Sequence, residues 1–153
     1  MKLNFAMGAV VSMIHDVVIT AGILVALGKE IDLNILAALL TVMGYSLNDT
    51  IVVFDRIREI MNARKKDPFA DVINKSINQT LSRTILTGAT TLLAILALFI
   101  LGGGIIHDFA FTMLIGVFVG IFSSVFVASP ILLALGKPRI DEPAPRVGLE
   151  GAV

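Results

Sequence analysis

The sequence predicts an all-α fold, a polytopic transmembrane helix bundle of four spans with a surface helix in one cytoplasmic loop. Three observations carry this expectation. Hydrophobic residues fill 56% of the 153 positions and charged residues 16%, with a mean hydropathy of +0.92, a balance outside that of soluble domains. The apolar residues are gathered into four runs, each long enough at about 1.5 Å per residue to cross a hydrocarbon core of about 30 Å. The charges fall mostly between the runs, so the formal net charge of zero says little and their placement says much. The chain has no cysteine, which excludes a disulfide framework and a thiolate metal site.

The first span is expected over about residues 3–27. Met1-Lys2 before an apolar run imitates a secretory leader, but the run continues to Leu27 without a small-residue cleavage pattern, so it is read as a retained span. Gly8, Ser12, His15, Asp16 and Thr20 recur on it at helical spacing and form a small, polar stripe suited to a helix–helix interface. Gly28 to Asp32 reads as a polar turn, with Asp32 placed to cap the next helix.

The second span is expected over about 33–54. Thr41, Tyr45, Asn48 and Asp49 share one face, expected to look into protein, while Leu39, Leu40, Met43, Leu47 and Ile51 are left for lipid or apolar neighbours. Residues 56–79 form the hydrophilic connection. Within it Asp67-Pro68 reads as an N-cap and first helical residue, with Asp71 in the first turn. Ile73, Ile77 and Leu81 give that helix an apolar stripe, expected to lie on the membrane surface and to feed into the third span.

The third span is expected over about 81–101, with Thr80, Arg83, Thr84, Thr87, Thr90, Thr91 and Ala94 along one side, ending at Gly102-Gly103-Gly104. His107 and Asp108 fall in the turn that follows. The fourth span, about 109–135, is free of charge and carries Gly116 and Gly120 followed by Ser123 and Ser124 for close packing. Pro130 should end or bend it. Residues 136–153, rich in proline, read as a disordered cytoplasmic tail. Ten of the twelve Lys and Arg lie at the termini or in the 56–79 loop, which puts both termini and that loop in the cytoplasm.

An ionisable group inside a span costs roughly 2.5–3.5 kcal/mol on insertion scales, so Asp49 needs a partner, a hydrated cavity or a function. Asp49 lies seven residues before Arg56, and Arg83 eight after Lys75, so both sit about 10–12 Å along their helices from the same charged end. The matching depth pairs them. The pair admits two readings: a structural ion pair, or a protonatable carboxylate with a fixed cation modulating it, the basis of a proton relay. The planar fork of Arg83 could also hold a Tyr45 or Thr87 oxygen. His15-Asp16 reads equally as a hydrogen-bonded structural pair or as a relay or hinge.

Adjacent His and Asp point about 100° apart on a helix and are poor co-ligands, so no metal site is expected, and no cofactor. The basic loop lacks the aromatic residues that stack bases, so no nucleic acid is expected as a partner. The threonine row on the third span suits either a helix interface or a hydrophilic path. No G-x-S-x-G, P-loop or H-E-x-x-H pattern is present, and the chain is not read as an enzyme.

The run Gly44-Tyr45-Ser46-Leu47-Asn48-Asp49-Thr50-Ile51-Val52-Val53, followed by Asp55-Arg56-Ile57-Arg58-Glu59, closely resembles the signature of the SecF family of protein-export membrane proteins, in the RND superfamily. His15-Asp16-Val17, Thr80-Leu81-Ser82-Arg83-Thr84 and Thr112-Met113-Leu114-Ile115-Gly116 agree with it, and the likeness covers about Phe5 to Leu135. The resemblance implies the last four spans of an RND-type six-helix bundle in a bacterial or archaeal plasma (inner) membrane. It further implies use of the proton-motive force, together with SecD, to assist a polypeptide through the SecYEG channel, with Asp49 and Arg83 tied to proton conduction. The periplasmic domain of the family lies outside the matching part. Two other readings stand beside it: a structural membrane scaffold in which Asp49 and Arg83 only fix helix register, and an RND-type exporter of small molecules or lipids.

Overall fold

The computed structural model describes residues 3–64 and 66–136, all in helices and short turns. The elements are α1 (Leu3–Ala26), α2 (Leu33–Ala63), α3 (Phe69–Leu101), α4 (Ile105–Ser123), a π-helical turn (Ser124–Ala128) and α5 (Ser129–Ala134). Four of these helical stretches are long and apolar enough to cross a membrane. The expected tail, apart from Gly136, lies outside the described residues.

Local chemistry accounts for the boundaries. After α1, Gly28 takes a positive φ of 71°, and the N–H groups of Gly28 and Lys29 return to the carbonyls of Val25 and Leu24. This left-handed helix stop favours glycine at its turning residue. Asp32 caps α2 as expected, its Oδ1 accepting the Ile35 N–H at 2.8 Å. That bond, and a lesser one from the Asn34 side chain, holds the Asp32 carboxyl below the usual carboxylate range.

The charged run Asp55–Glu59 does not end α2 at Phe54. The helix continues to Ala63 because Val53, Ile57 and Ile60 keep the buried stripe going, while Arg56 and Glu59, one turn apart, pair on the outer face. The loop helix is present too, but it is one unbroken helix with the third span. Pro68, rather than Asp67, occupies its cap position, and Asp67 faces Arg64 at 3.5 Å. Its apolar stripe is Val72 and Ile73 with Ile77, packed on Ile57, Ile60 and Met61 of α2, whereas Leu81 is exposed. At about 1.5 Å per residue, α2 and α3 are each roughly 45–50 Å long, so this hairpin reaches beyond a hydrocarbon core of about 30 Å. At the opposite end α4 begins at Ile105, so His107 and Asp108 lie in its first turn rather than in the connection. Asp108 there accepts from Lys29 at 2.7 Å, tying the two short turns together.

α2 and α4 form the middle of the bundle, with α1 and α3 on either side. Gly116 and Gly120 permit the central contact, since a Cβ at Gly116 would fall 2.4 Å from Val42 and one at Gly120 would fall 3.2 Å from the Ser46 Cβ. The core is layered along the bundle axis. Phe5, Val53, Phe54, Ile57, Val72, Ile73, Ala128 and Leu132 fill the end of the α2–α3 loop. Ala38, Val42, Ile95, Ala110 and Val117, with Leu24, Ile35 and Leu39, fill the other end. Between them every helix contributes hydroxyl or carboxyl groups. Large apolar side chains such as Val18, Leu40, Leu86, Leu93, Ile100 and Phe126 face outward, as they must in lipid.

This geometry predicts that Gly116→Ala destabilises by about 1–3 kcal/mol through overpacking, and that adding Val42→Ala restores part of the loss. Gly22→Ala, where nothing lies within 4 Å, should be neutral or mildly stabilising. Denaturant unfolding of the purified protein in detergent measures all three.

Candidate functional site

The polar layer holds two carboxylates on adjacent helices. Asp49, half-buried, is reached from two other elements. Thr84 of α3 donates to its Oδ1 at 3.0 Å, and Ser124, the first residue of the π turn, faces its Oδ2 at 2.8 Å. The Ser124 hydroxyl also lies 3.0 Å from the Ile121 carbonyl. One hydroxyl proton therefore has two alternative acceptors. With Asp49 ionised, Ser124 donates to the carboxylate; with Asp49 protonated, the acid donates to Ser124 Oγ, and Ser124 donates to Ile121. Thr84 can likewise donate or accept. The site satisfies both protonation states without rebuilding.

The π turn has a local cause. Pro130 has no N–H to give the Phe126 carbonyl, and its ring crowds that carbonyl, so an α-helix cannot pass through unchanged. The chain widens by one residue over Ser124–Ala128 and then resumes as α5. Ser129 sits at the resumption, its hydroxyl donating to the Ser124 carbonyl at 3.3 Å. The proline expected to bend the last span thus sets the backbone at the Asp49 site, and single π turns occur often at functional sites.

Asp16, on α1, is fully buried. Ser46 of α2 donates to its Oδ2 in a short hydrogen bond, and the Nδ1 of half-buried His15 lies 3.1 Å from its Oδ1. Ser12 and Ser123 bond at 2.8 Å, linking α1 to α4. The stripe Gly8, Ser12, Asp16 and Thr20 is buried as the α1 spacing predicts.

The expected pairing of Asp49 with Arg83 is not present. Among the described residues no cation lies within 4.0 Å of Asp49, and the residue of α3 that reaches it is Thr84. Arg83, one residue earlier and so about 100° round the helix, is exposed. It borders a groove of about 400 Å³ between α2 and α3, lined also by Asp55, Arg56, Glu59, Gln79 and Thr80. Thr87 donates to the backbone carbonyl of Arg83 at 2.9 Å rather than meeting its guanidinium. Tyr45 packs against the apolar layer beyond the site.

The face of Thr41, Tyr45, Asn48 and Asp49 is also rotated from expectation: Thr41 and Asn48 are exposed, whereas Leu39, Val42, Ser46 and Thr50 face inward. The inward stripe runs at i, i+3 or i+4 through Ser46, whose small hydroxyl side chain fits against Gly120 where the larger Asn48 would not. The threonine row splits, with Thr80 and Thr84 buried and Thr87 and Thr90 exposed and bonded to carbonyls of their own helix. Ser46 and Ser124 are the partners that spacing alone did not single out; the signal available was Ser123-Ser124 on a charge-free helix a few residues before Pro130.

Four membrane-length helices closed around a layer of carboxylates and hydroxyls define a polytopic membrane protein with titratable groups inside its bundle. The family profile described as "Protein export membrane protein SecD/SecF, C-terminal" matches residues 1–138, and the chain belongs to the SecD/SecF family. It is 53% identical over 138 residues to the protein translocase subunit SecF of Rhodothermus marinus, covering 86% of this chain and 45% of that one. It is 58% identical over 134 residues to that of Magnetococcus marinus, covering 88% and 43%, and 52% identical over 149 residues to that of Vibrio alginolyticus, covering 97% and 47%. The chain thus spans somewhat under half the length of these relatives. Among solved structures it is similar to a crystal structure of SecDF in its super-membrane-facing form, with a TM-score of 0.82 and 48% identity over 86% of this chain and 18% of that one.

Ser124→Ala and Thr84→Val each remove a partner from Asp49 and should each cost about 1–3 kcal/mol. Combined with Asp49→Ala, each should show a coupling energy of about 0.5–3 kcal/mol. Thr87→Val, which loses only a bond within its own helix, should stay within about 0.5 kcal/mol of the parent. Denaturant unfolding in detergent above the carboxylate range gives the double-mutant cycles.

Proposed function

We propose that this chain forms the C-terminal transmembrane part of a protein-export translocase subunit, and that Asp49 carries a proton within it as the proton-motive force drives polypeptide export. The observation that carries the reading is the coordination of Asp49. A carboxylate locked to a guanidinium is held in its anionic state, whereas one held by two hydroxyls, each able to donate or accept, is served equally in both states. Proton uptake at Asp49 reverses one of the bonds to Thr84 and Ser124 and weakens the other, which stays a bond to a neutral carbonyl oxygen, so it acts on both α3 and the π turn. Arg83 serves the relay from the neighbouring position on α3, where its fixed charge raises the positive potential of the groove beside the site.

The partners of this reading are SecD, which the likeness to the SecDF structure supports, and the SecYEG channel and the translocating polypeptide, which follow from a part in protein translocation. The part played is one of transport rather than covalent catalysis. Asn48 and Thr87 support the relay by keeping the outer face of the α2–α3 hairpin polar beside Arg83, and Tyr45 supports it from the apolar layer beyond the site. The placement of basic residues puts the α2–α3 loop and both termini in the cytoplasm and the two short turns outside.

Asp49→Asn keeps size and hydrogen bonding while losing the titration. It should leave insertion and complex formation intact and abolish the part of export into inverted membrane vesicles that a protonophore removes from the parent. Undiminished gradient-stimulated export in this variant would refute the proton role.

Topology is tested with single cysteines in the naturally cysteine-free chain. One at Lys66 should resist an impermeant thiol reagent added outside intact cells, and one at Gly103 should react; the opposite pattern would invert the orientation.

A further inference from the structure

The relay as described uses one carboxylate, yet the polar layer holds a second that is more deeply enclosed. Asp16 is fully buried, and among the described residues its oxygens meet only the Ser46 hydroxyl and His15 Nδ1. The charged and titratable groups facing it are few. On α1 there is His15. On α2 there are Tyr45, next to Ser46, and Asp49, one turn beyond it. The chain from Phe109 to Gly136, which supplies almost all of α4, the π turn and α5, has no charged residue. Among the described residues no lysine or arginine lies within 4.0 Å of Asp16.

Three hydrogen bonds, joined by neighbouring positions on their helices, connect Asp16 with Asp49 around the layer. Asp16 bonds Ser46, which stands at i, i+3 from Asp49, neighbours on a helix surface about 5–6 Å apart at Cβ. Asp49 bonds Ser124; Ser123, beside it in sequence, bonds Ser12; and Ser12 lies one turn before Asp16 on α1. Every member besides the two carboxylates is a serine, and a hydroxyl both accepts and donates a proton. Thr20 and Thr50, one turn on from Asp16 and Ser46, are buried with hydroxyls that find no hydrogen-bond partner among the described residues. They leave the layer with hydrogen-bonding capacity that can re-pair when a proton moves.

From this we infer that Asp16 is a second proton-binding carboxylate, exchanging a proton with Asp49 across the buried serines of α1, α2 and α4. In the exchange the O–H bond at Asp49 breaks and one at Asp16 forms, with Ser46 taking a proton on one side as it gives one on the other. During the exchange one of the two carboxyl groups holds the proton while the other accepts hydrogen bonds as a carboxylate. His15, at the edge of the layer, holds the Asp16 carboxylate while it is ionised.

The inference rests on the proposed role of Asp49 and can be separated from it. Low-pH minus high-pH infrared difference spectra are recorded on the full-length subunit in its membrane complex. Two buried carboxyl C=O bands are expected, one lost in Asp16→Asn and the other in Asp49→Asn. Ser46→Ala keeps Asp16 but removes its hydrogen bond and should shift the first band; if Asp16→Asn does not assemble, this variant alone decides. A spectrum unchanged by both Asp16→Asn and Ser46→Ala overturns the inference and leaves the role of Asp49 standing. An Asp16 band without an Asp49 band would instead remove the reading of Asp49 and reduce Asp16 to an isolated site.

Discussion

Lipid offers no hydrogen bonds, so a polar group placed halfway through a membrane helix must be satisfied by another helix. This constraint organises the bundle. The mid-layer couples α1 to α2 through Asp16 and Ser46, α1 to α4 through Ser12 and Ser123, and α2 to both α3 and the π turn through Asp49. Apolar packing on either side excludes water but does little to fix register, because lipid tails compete for the same contacts. The polar bonds fix it, and in doing so they place both carboxylates where their protonation affects helix pairing.

Two backbone features make the layer possible. The small surface of α4 at Gly116 and Gly120 brings α2 close enough for Ser46 to stand between α4 and Asp16. The π turn imposed by Pro130 then widens the helix just where Ser124 must face Asp49. Ser123 and Ser124 point about 100° or somewhat less apart, so the two neighbours meet separate partners. Ser123 serves α1 and Ser124 serves α2.

Much of this was legible in the sequence, for reasons that differ from element to element. Four apolar runs give four helices, Asp32 caps α2, and the α1 stripe of small and polar residues is buried, because span length, capping and small-residue spacing are local properties. The ends of α2 and α3 were less legible. Charged residues mark the edge of a span by hydropathy, yet Arg56, Arg58 and Glu59 are good helix formers and the buried stripe through Ile57 and Ile60 runs on beneath them. The site was half legible. Asp49 stood out as a carboxylate in an apolar helix, but depth along an axis says nothing of rotation about it. Arg83 and Thr84 have nearly the same depth and differ by about 100° in direction, and the residue facing Asp49 is the threonine. The partnership of Ser124 depended on a π turn whose only mark in the sequence was a proline six residues later.

The exchange of an ion pair for hydroxyl partners changes what one proton can do. A two-state element moves from 1:99 to 99:1 when one state gains about 5.5 kcal/mol on the other. Hydrogen bonds to a charged group contribute about 1.5–3 kcal/mol each, and Asp49 has two, to α3 and to the π turn. Neutral bonds contribute about 0.5–1.5 kcal/mol each, so charge loss at Asp49 alters roughly 2–3 kcal/mol of interaction, a part of that shift, without stranding an unpaired cation. The same change at a carboxylate locked to arginine would leave a buried guanidinium uncompensated, at a cost that opposes the switch. The backbone best able to respond is the π turn, already one residue out of α register and pinned to α2 by a single serine. A proton arriving at Asp49 weakens that pin from a charged to a neutral hydrogen bond, and α5 beyond it packs through Leu132 against the end of the bundle where Ile57 and Val72 join the α2–α3 hairpin. A change in charge at mid-membrane is thereby connected, through continuous packing, to the end of the molecule that extends past the bilayer.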